Sequence, residues 1–128
     1  MNRLSPKLRT RTPLPDGRYL IVRGADDSEL TSEQAIAFRV AYPGMGAYGV
    51  SGFYARNRRE VAELCQTKLE RWAVVYSFDG EDIEACGLTV APTFRTPHVT
   101  IAHPELDELL ARLNRCPREV IRNQYHEE

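Results

Sequence analysis

Trp72-Ala73-Val74-Val75-Tyr76-Ser77-Phe78 is the stretch on which the fold turns. Aromatic and β-branched residues fit a pleated, packed surface, so this run predicts a strand. Because the apolar residues are nearly continuous, it predicts a central strand covered on both faces.

Upstream of it, Val61, Leu64, Cys65 and Leu69 recur at helical spacing, which predicts an amphipathic helix over residues 58–69. Val50 to Ala55 reads as a strand entered through the glycine-rich loop Gly44 to Gly49. Thr31-x-x-Gln34 has capping-box spacing, and the helix it starts should run to about Tyr42, where Pro43-Gly44 stops it. Tyr19 to Val22 is a short first strand.

Downstream, Glu81 to Cys86 predicts one or two helical turns closed by Gly87. Leu88 to Ala91 and His98 to Ala102 read as two strands joined by Pro-Thr-Phe-Arg-Thr-Pro. Pro104 is placed to start a helix at its first position, with Leu106, Leu109, Leu110 and Leu113 as its apolar stripe and Cys116-Pro117 as its stop. The remaining residues read as a tail with one more turn through Val120 and Ile121.

Alternating helices and strands followed by two consecutive strands predict an α+β single domain. Its sheet is expected to be mixed and four- to five-stranded, with about three packed helices. The expected organisation is a flexible basic arm over residues 1–17, a globular domain over 18–116 and a C-terminal tail over 117–128. The expected core is Trp72, Val74, Val75, Tyr76 and Phe78 with the four leucines of the last helix. Leu110→Ala should cost about 2–5 kcal/mol if that leucine is buried.

A chain of 128 residues is one domain, long enough to fold without disulfide or metal. Its net charge of −1 gives no global field toward nucleic acid. Charge is nonetheless segregated. Met1 to Arg23 holds six basic residues and one acid, and Asp79 to Glu84 holds four acids and no base. Lys7 and Lys68 are the only lysines among many arginines, which suggests a GC-rich bacterial genome. Cys65, Cys86 and Cys116 are odd in number and far apart, which favours a reducing compartment. The first residues have no apolar segment of the signal-peptide kind, and no run is long enough to span a bilayer, so the cytoplasm is expected.

Gly44-Met-Gly46-Ala-Tyr-Gly49 fits G-x-G-x-x-G, but a helix precedes it and a strand follows, the inverse of a dinucleotide site. Gly44, Gly46 and Gly49 then read as a turn supplying positive φ, or as a loop covering a ligand. Gly49-Val-Ser51-Gly52 is half of a nucleophile elbow and lacks the final glycine, so Ser51 reads as an ordinary strand residue.

His98-Val-Thr100-Ile-Ala-His103 is the densest polar feature. On a strand His98 and Thr100 share one face and His103 takes the other, so the two histidines are poorly placed for one metal. No metal and no cofactor is expected. His98-x-Thr100 resembles half of the 2H phosphoesterase signature, a pattern that needs two such triplets, and the second is missing here.

What remains is a single-histidine chemistry. His98 would act as general acid or base beside Thr100 and Arg95, with Arg23 or Arg39 stabilising phosphorane charge. The competing structural role is that His98 pins a loop at a strand end. Arg9 and Arg11 of the arm, and Arg56, Arg58 and Arg59 at a helix start, are candidate partner-binding residues. The simpler readings are a disordered solubilising arm and a solvated helix face.

Two functions follow as expectations. The leading one is an intracellular binding or accessory module of a bacterial toxin–antitoxin, phage or defence system. Its partner would be a protein, with nucleic acid reached through the basic arm and no membrane involved. The alternative is a small toxin-like enzyme acting on RNA or a nucleotide through His98. ADP-ribosyl transfer is a further option, with an arginine on the first strand and a serine on the second but no glutamate to place.

Overall fold

The Trp72–Phe78 stretch becomes β3 (Val74–Asp79), with Trp72 in the turn that leads into it. The computed structural model describes residues 18–127. In chain order the other elements are β1 (Leu20–Gly24), α1 (Ser28–Ala41), a 3-10 turn (Pro43–Met45), β2 (Tyr48–Ala55), α2 (Arg58–Thr67), α3 (Gly80–Ala85), β4 (Thr89–Pro92), β5 (His98–His103), α4 (Leu106–Arg115) and β6 (Glu119–Arg122).

The strands form one sheet in the order β4-β5-β2-β1-β3-β6, and every neighbouring pair is antiparallel. The chain is a single α+β domain, but the expected mixed sheet of four or five strands is a six-stranded antiparallel one. Alternation of helix and strand suggested parallel crossovers. Instead α1 returns the chain to the same end of the sheet, so β2 runs back alongside β1. The stretch expected as a tail turn through Val120 and Ile121 is β6, with Val75 opposite Ile121 and Tyr76 opposite Val120.

Both faces are covered. On one, Ile21, Val50, Phe78, Val99 and Ile101 meet Ala35, Ile83, Leu109 and Leu113 from α1, α3 and α4. On the other, Val22, Ala55 and Val75 meet Val61, Leu64 and Cys65 of α2, with Leu69 just beyond it. β3 therefore has the two-sided burial its composition demands, at Val75 on one side and Phe78 on the other.

Within α4 the fully buried leucine is Leu109, and Leu110 is only half-buried. Leu109→Ala is expected to destabilise by about 2–5 kcal/mol in urea unfolding, and Leu110→Ala by clearly less. Equal costs at the two positions would place the α4 stripe wrongly.

Helix starts follow local chemistry. α1 begins earlier than Thr31 because the Asp27 carboxylate accepts the Leu30 N–H at 2.8 Å, while the Thr31 hydroxyl donates to the Asp27 carbonyl. Asn57 caps α2 by accepting from the Glu60 N–H at 3.0 Å. Gly87 ends α3 at φ +84°, a conformation that favours glycine.

Candidate active site

The site begins where two strands part. β1 pairs with β2 only from Leu20 to Val22, opposite Ala55 to Phe53. Beyond Val22, residues Arg23 and Gly24 stay with β3, while Tyr48 to Ser51 stay with β5. The fork leaves the backbone edge of Ser51 without a strand, and buried backbone groups must find partners. Side chains supply them. Gln34 Oε1 accepts the Ser51 N–H at 3.3 Å, and Arg23 Nε donates to the Ser51 carbonyl at 3.3 Å.

Arg23 is thus a buried cation, 5% exposed, lying in a gap of the sheet. A second nitrogen, Nη2, donates to Asp26 at 3.3 Å and Gln34 at 3.5 Å. Burial holds its pKa below the usual arginine value. Asp26 opposes that shift and the nearby Arg118 adds to it. The guanidinium is thus held by one carboxylate and two neutral oxygens, out of contact with bulk water.

His98 starts β5 on the same side of the sheet as Phe53, its register partner. Its ring is held edge-on by Phe53 at 5.4 Å and Phe94 at 4.8 Å between centroids. Phe94 has φ +58°, a left-handed conformation that costs a non-glycine residue about 1–3 kcal/mol and tends to persist at functional sites. His98 Nδ1 lies 2.8 Å from the Thr93 hydroxyl, which lies 2.9 Å from the Thr100 hydroxyl. Thr93 and Thr100 are each 1% exposed.

A hydroxyl can donate or accept, so this relay accommodates either tautomer of the ring and its cation. Nε2 has no hydrogen bond to a described residue. Among the described residues no buried polar side-chain atom is left unpartnered.

His98 and Arg23 line one cavity of about 200 Å³ with Ser51, Phe53, Lys68, Arg71 and Trp72. Among the described residues, Asp26 is the only carboxylate in its wall, facing the cations Arg23, Lys68 and Arg71. The Trp72 ring lies flat on Gly24, where a Cβ would come within 2.3 Å of it. The Arg71 guanidinium stands 5.3 Å from the ring centroid. The wall therefore offers excess positive charge, aromatic surface and one imidazole, a combination suited to a phosphate-bearing ligand.

The residues singled out from sequence fall in different places. His98 and Thr100 come together through Thr93, with Thr100 behind the ring rather than in the cavity wall. Arg95 has an exposed side chain outside that wall, and its backbone carbonyl accepts the His98 N–H at 2.8 Å. Arg23 lines the cavity and Arg39 does not. Arg56 pairs with Glu60 at 3.1 Å, Arg58 with Glu119 at 2.9 Å and Arg59 with Glu63 at 3.9 Å. Arg9 and Arg11 lie outside the described residues.

The three glycines do separate jobs, and none lines the cavity. Gly44 sits in the 3-10 turn, and Gly46 ends it at φ +64°. Gly49 lies inside β2, where a Cβ would come 2.5 Å from the Thr100 methyl. Sequence reasoning missed Thr93, Lys68, Arg71 and Trp72. Thr93 alone had a signal, since a hydroxyl at the far end of a short hairpin can reach the strand that returns.

Cysteine chemistry is not favoured. Burial pushes the Cys65 thiol up, and burial followed by a hydrogen bond with Cys86 pushes Cys116 up to about 12. Among the described residues no group of histidine, cysteine and carboxylate side chains could hold a metal ion. No helix among them is long and apolar enough to cross a membrane.

Burial lowers the His98 pKa from 6.5, with a backbone contact to Thr93 partly opposing it. The unfolded chain therefore binds one more proton than the folded one between the two values. Stability should be unaffected by His98 above about pH 6.5, fall below it, and level off below the folded value. Asp79 and Glu60, whose pKa values are lowered from 3.8 and 4.5, lose their own stabilisation mainly as pH falls through those values, so a His98 variant is needed to isolate the histidine share. Urea unfolding at pH 7 and pH 5 should thus show a loss that shrinks in His98→Gln. An unchanged loss in the variant would assign it to other groups.

Comparison with known proteins finds no matching family model, no significantly similar curated protein and no significantly similar solved structure.

Proposed function

We propose that the cavity binds a phosphodiester or nucleotide and that His98 is its general acid–base. One observation carries this: the His98 imidazole lines the same small cavity as the buried Arg23 and the cations Lys68 and Arg71. At neutral pH a histidine with a lowered pKa is largely uncharged and ready to take a proton.

In RNA cleavage it takes the proton of the attacking 2′ hydroxyl. The new P–O bond forms as the bond to the 5′ oxygen breaks, and that oxygen is protonated by water. Arg23, Lys68 and Arg71 are placed to offset the charge that builds on the phosphoryl oxygens.

This reading is favoured over a binding module because the cationic surface cluster is internally paired. Arg56, Arg58 and Arg59 each face a carboxylate, which leaves the cavity as the better-founded place of recognition. ADP-ribosyl transfer gains the proximity of Arg23 and Ser51. Among the described residues it lacks a glutamate in the cavity wall, where the one carboxylate is already bonded to Arg23.

The test is expression of wild type and His98→Ala in a bacterium, with growth and total RNA integrity followed together. Arrest with RNA cleavage in wild type alone supports the proposal. Unchanged growth and intact RNA with both count against it.

A further inference from the structure

Arg23 lines two cavities. By strand alternation its side chain leaves β1 on the face of Ile21 and of its register partner Tyr76, toward α1 and α4, and reaches the fork from there. On that face it lines a second cavity, of about 60 Å³, with Asp26, Ser28, Tyr76, Asn114 and Arg118. Roughly 10–15 Å³ is the least that holds one water, so this space takes about four. That is the size of a tetrahedral oxyanion and far below a nucleotide.

The wall holds two guanidiniums and, among the described residues, one carboxylate. Arg118 is fixed there by the backbone. Its Nε donates to the Cys116 carbonyl at 3.3 Å, and its Nη2 donates to the Leu113 and Asn114 carbonyls in the last turn of α4 at 2.7 Å each. Its guanidinium carbon stands 4.9 Å from the centre of the Tyr76 ring. Nη1 has no hydrogen bond to a described residue. Arg23 likewise spends Nε and Nη2 on Ser51, Asp26 and Gln34, and its Nη1 has no described partner. The two charges are near enough to interact. Burial lowers the Arg23 pKa most, Asp26 opposes that, and Arg118 lowers it further. An anion between such a like-charged pair relieves the repulsion, and the hydroxyls of Ser28 and Tyr76 add donors.

We infer that this cavity binds a small tetrahedral oxyanion, phosphate or sulfate, between Arg23 and Arg118. The ligand is the free ion, because the space leaves no room for the organic part of an ester. His98, Lys68 and Arg71 are not in its wall, so the inference stands apart from the phosphodiester reading.

Equilibrium dialysis with radiolabelled sulfate tests it. Lys68→Ala with Arg71→Ala strips two exposed cations from the His98 cavity and leaves the small cavity intact. This double variant should still bind one sulfate, with a Kd of about 1 mM or below. Ser28 is exposed at the start of α1, where a carboxylate suits the helix dipole. Ser28→Glu in that background should keep the fold, checked by thermal melting, and weaken sulfate by about tenfold or more through like-charge repulsion. Ser28→Gln, equal in size and uncharged, should weaken it by clearly less.

Binding that Ser28→Glu leaves unchanged overturns the site. If wild type binds one sulfate and the double variant none, the anion belongs to the His98 cavity, and that reading stands while this one falls. If the double variant binds as wild type does and Ser28→Glu abolishes it, the small cavity is the receptor and the His98 cavity is not.

Discussion

Arg23→Met is expected to lower the stability of the fold by about 3–5 kcal/mol, the usual cost of breaking a buried ion pair from one side. The side chains of Arg23 and Asp26 are 6% and 9% exposed, so little water can replace the lost partner. The substitution keeps an unbranched side chain of similar reach and removes only the charge and the donors. Asp26 then stays in the gap as an uncompensated carboxylate, and the Ser51 carbonyl loses its donor.

Adding Asp26→Leu to Arg23→Met should recover much of the loss, because a desolvated pair exchanged for apolar groups is often neutral. Urea unfolding followed by fluorescence of Trp72, the only tryptophan, measures both. A loss below about 1 kcal/mol in the single variant would show that the fork is held by packing instead.

The contrast between what the sequence discloses and what it hides has physical causes at each residue. β3 was legible because Val74, Val75, Tyr76 and Phe78 concentrate strand preference in one run. α4 was legible because its leucines repeat at helical spacing. β6 was not, because Glu119 and Arg122 flank only Val120 and Ile121, and the strand exists by pairing with the open edge of β3.

Sheet order is a property of long-range pairing, so nothing local could show that β3 lies beside β1. That adjacency is what carries Lys68, Arg71 and Trp72, all just before β3, to the fork at Arg23. His98 and Thr100 were legible because two-residue spacing on a strand puts them on one face. Arg95 was chosen for its nearness in sequence, and the turn before β5 points its side chain outward. The cluster at the start of α2 looked like an open cationic patch because the Arg58–Glu119 pair spans 61 residues.

His98→Ala should reduce any phosphodiester cleavage by about 10²–10⁴-fold, the range that a positioned acid–base group contributes. Its structural cost should be small by comparison. The loss is the edge-on packing against Phe53 and Phe94, about 0.5–1.5 kcal/mol for each contact, and no charged group is orphaned. Thr93→Val tests the positioning of the ring. It keeps the buried shape but removes the hydroxyl that holds Nδ1, so the rate should fall by less than in His98→Ala while phosphate affinity holds.

The pH profile separates chemistry from mere folding. With the His98 pKa lowered by burial, the wild-type rate should climb with pH along a limb whose midpoint lies below 6.5, and this limb should vanish in His98→Ala. Phe94→Ala opens the ring to water, which should move the limb toward the ordinary histidine value without abolishing it. A limb that persists unchanged in His98→Ala would assign the titration to another group and return His98 to the role of a pin between Thr93 and the two phenylalanines.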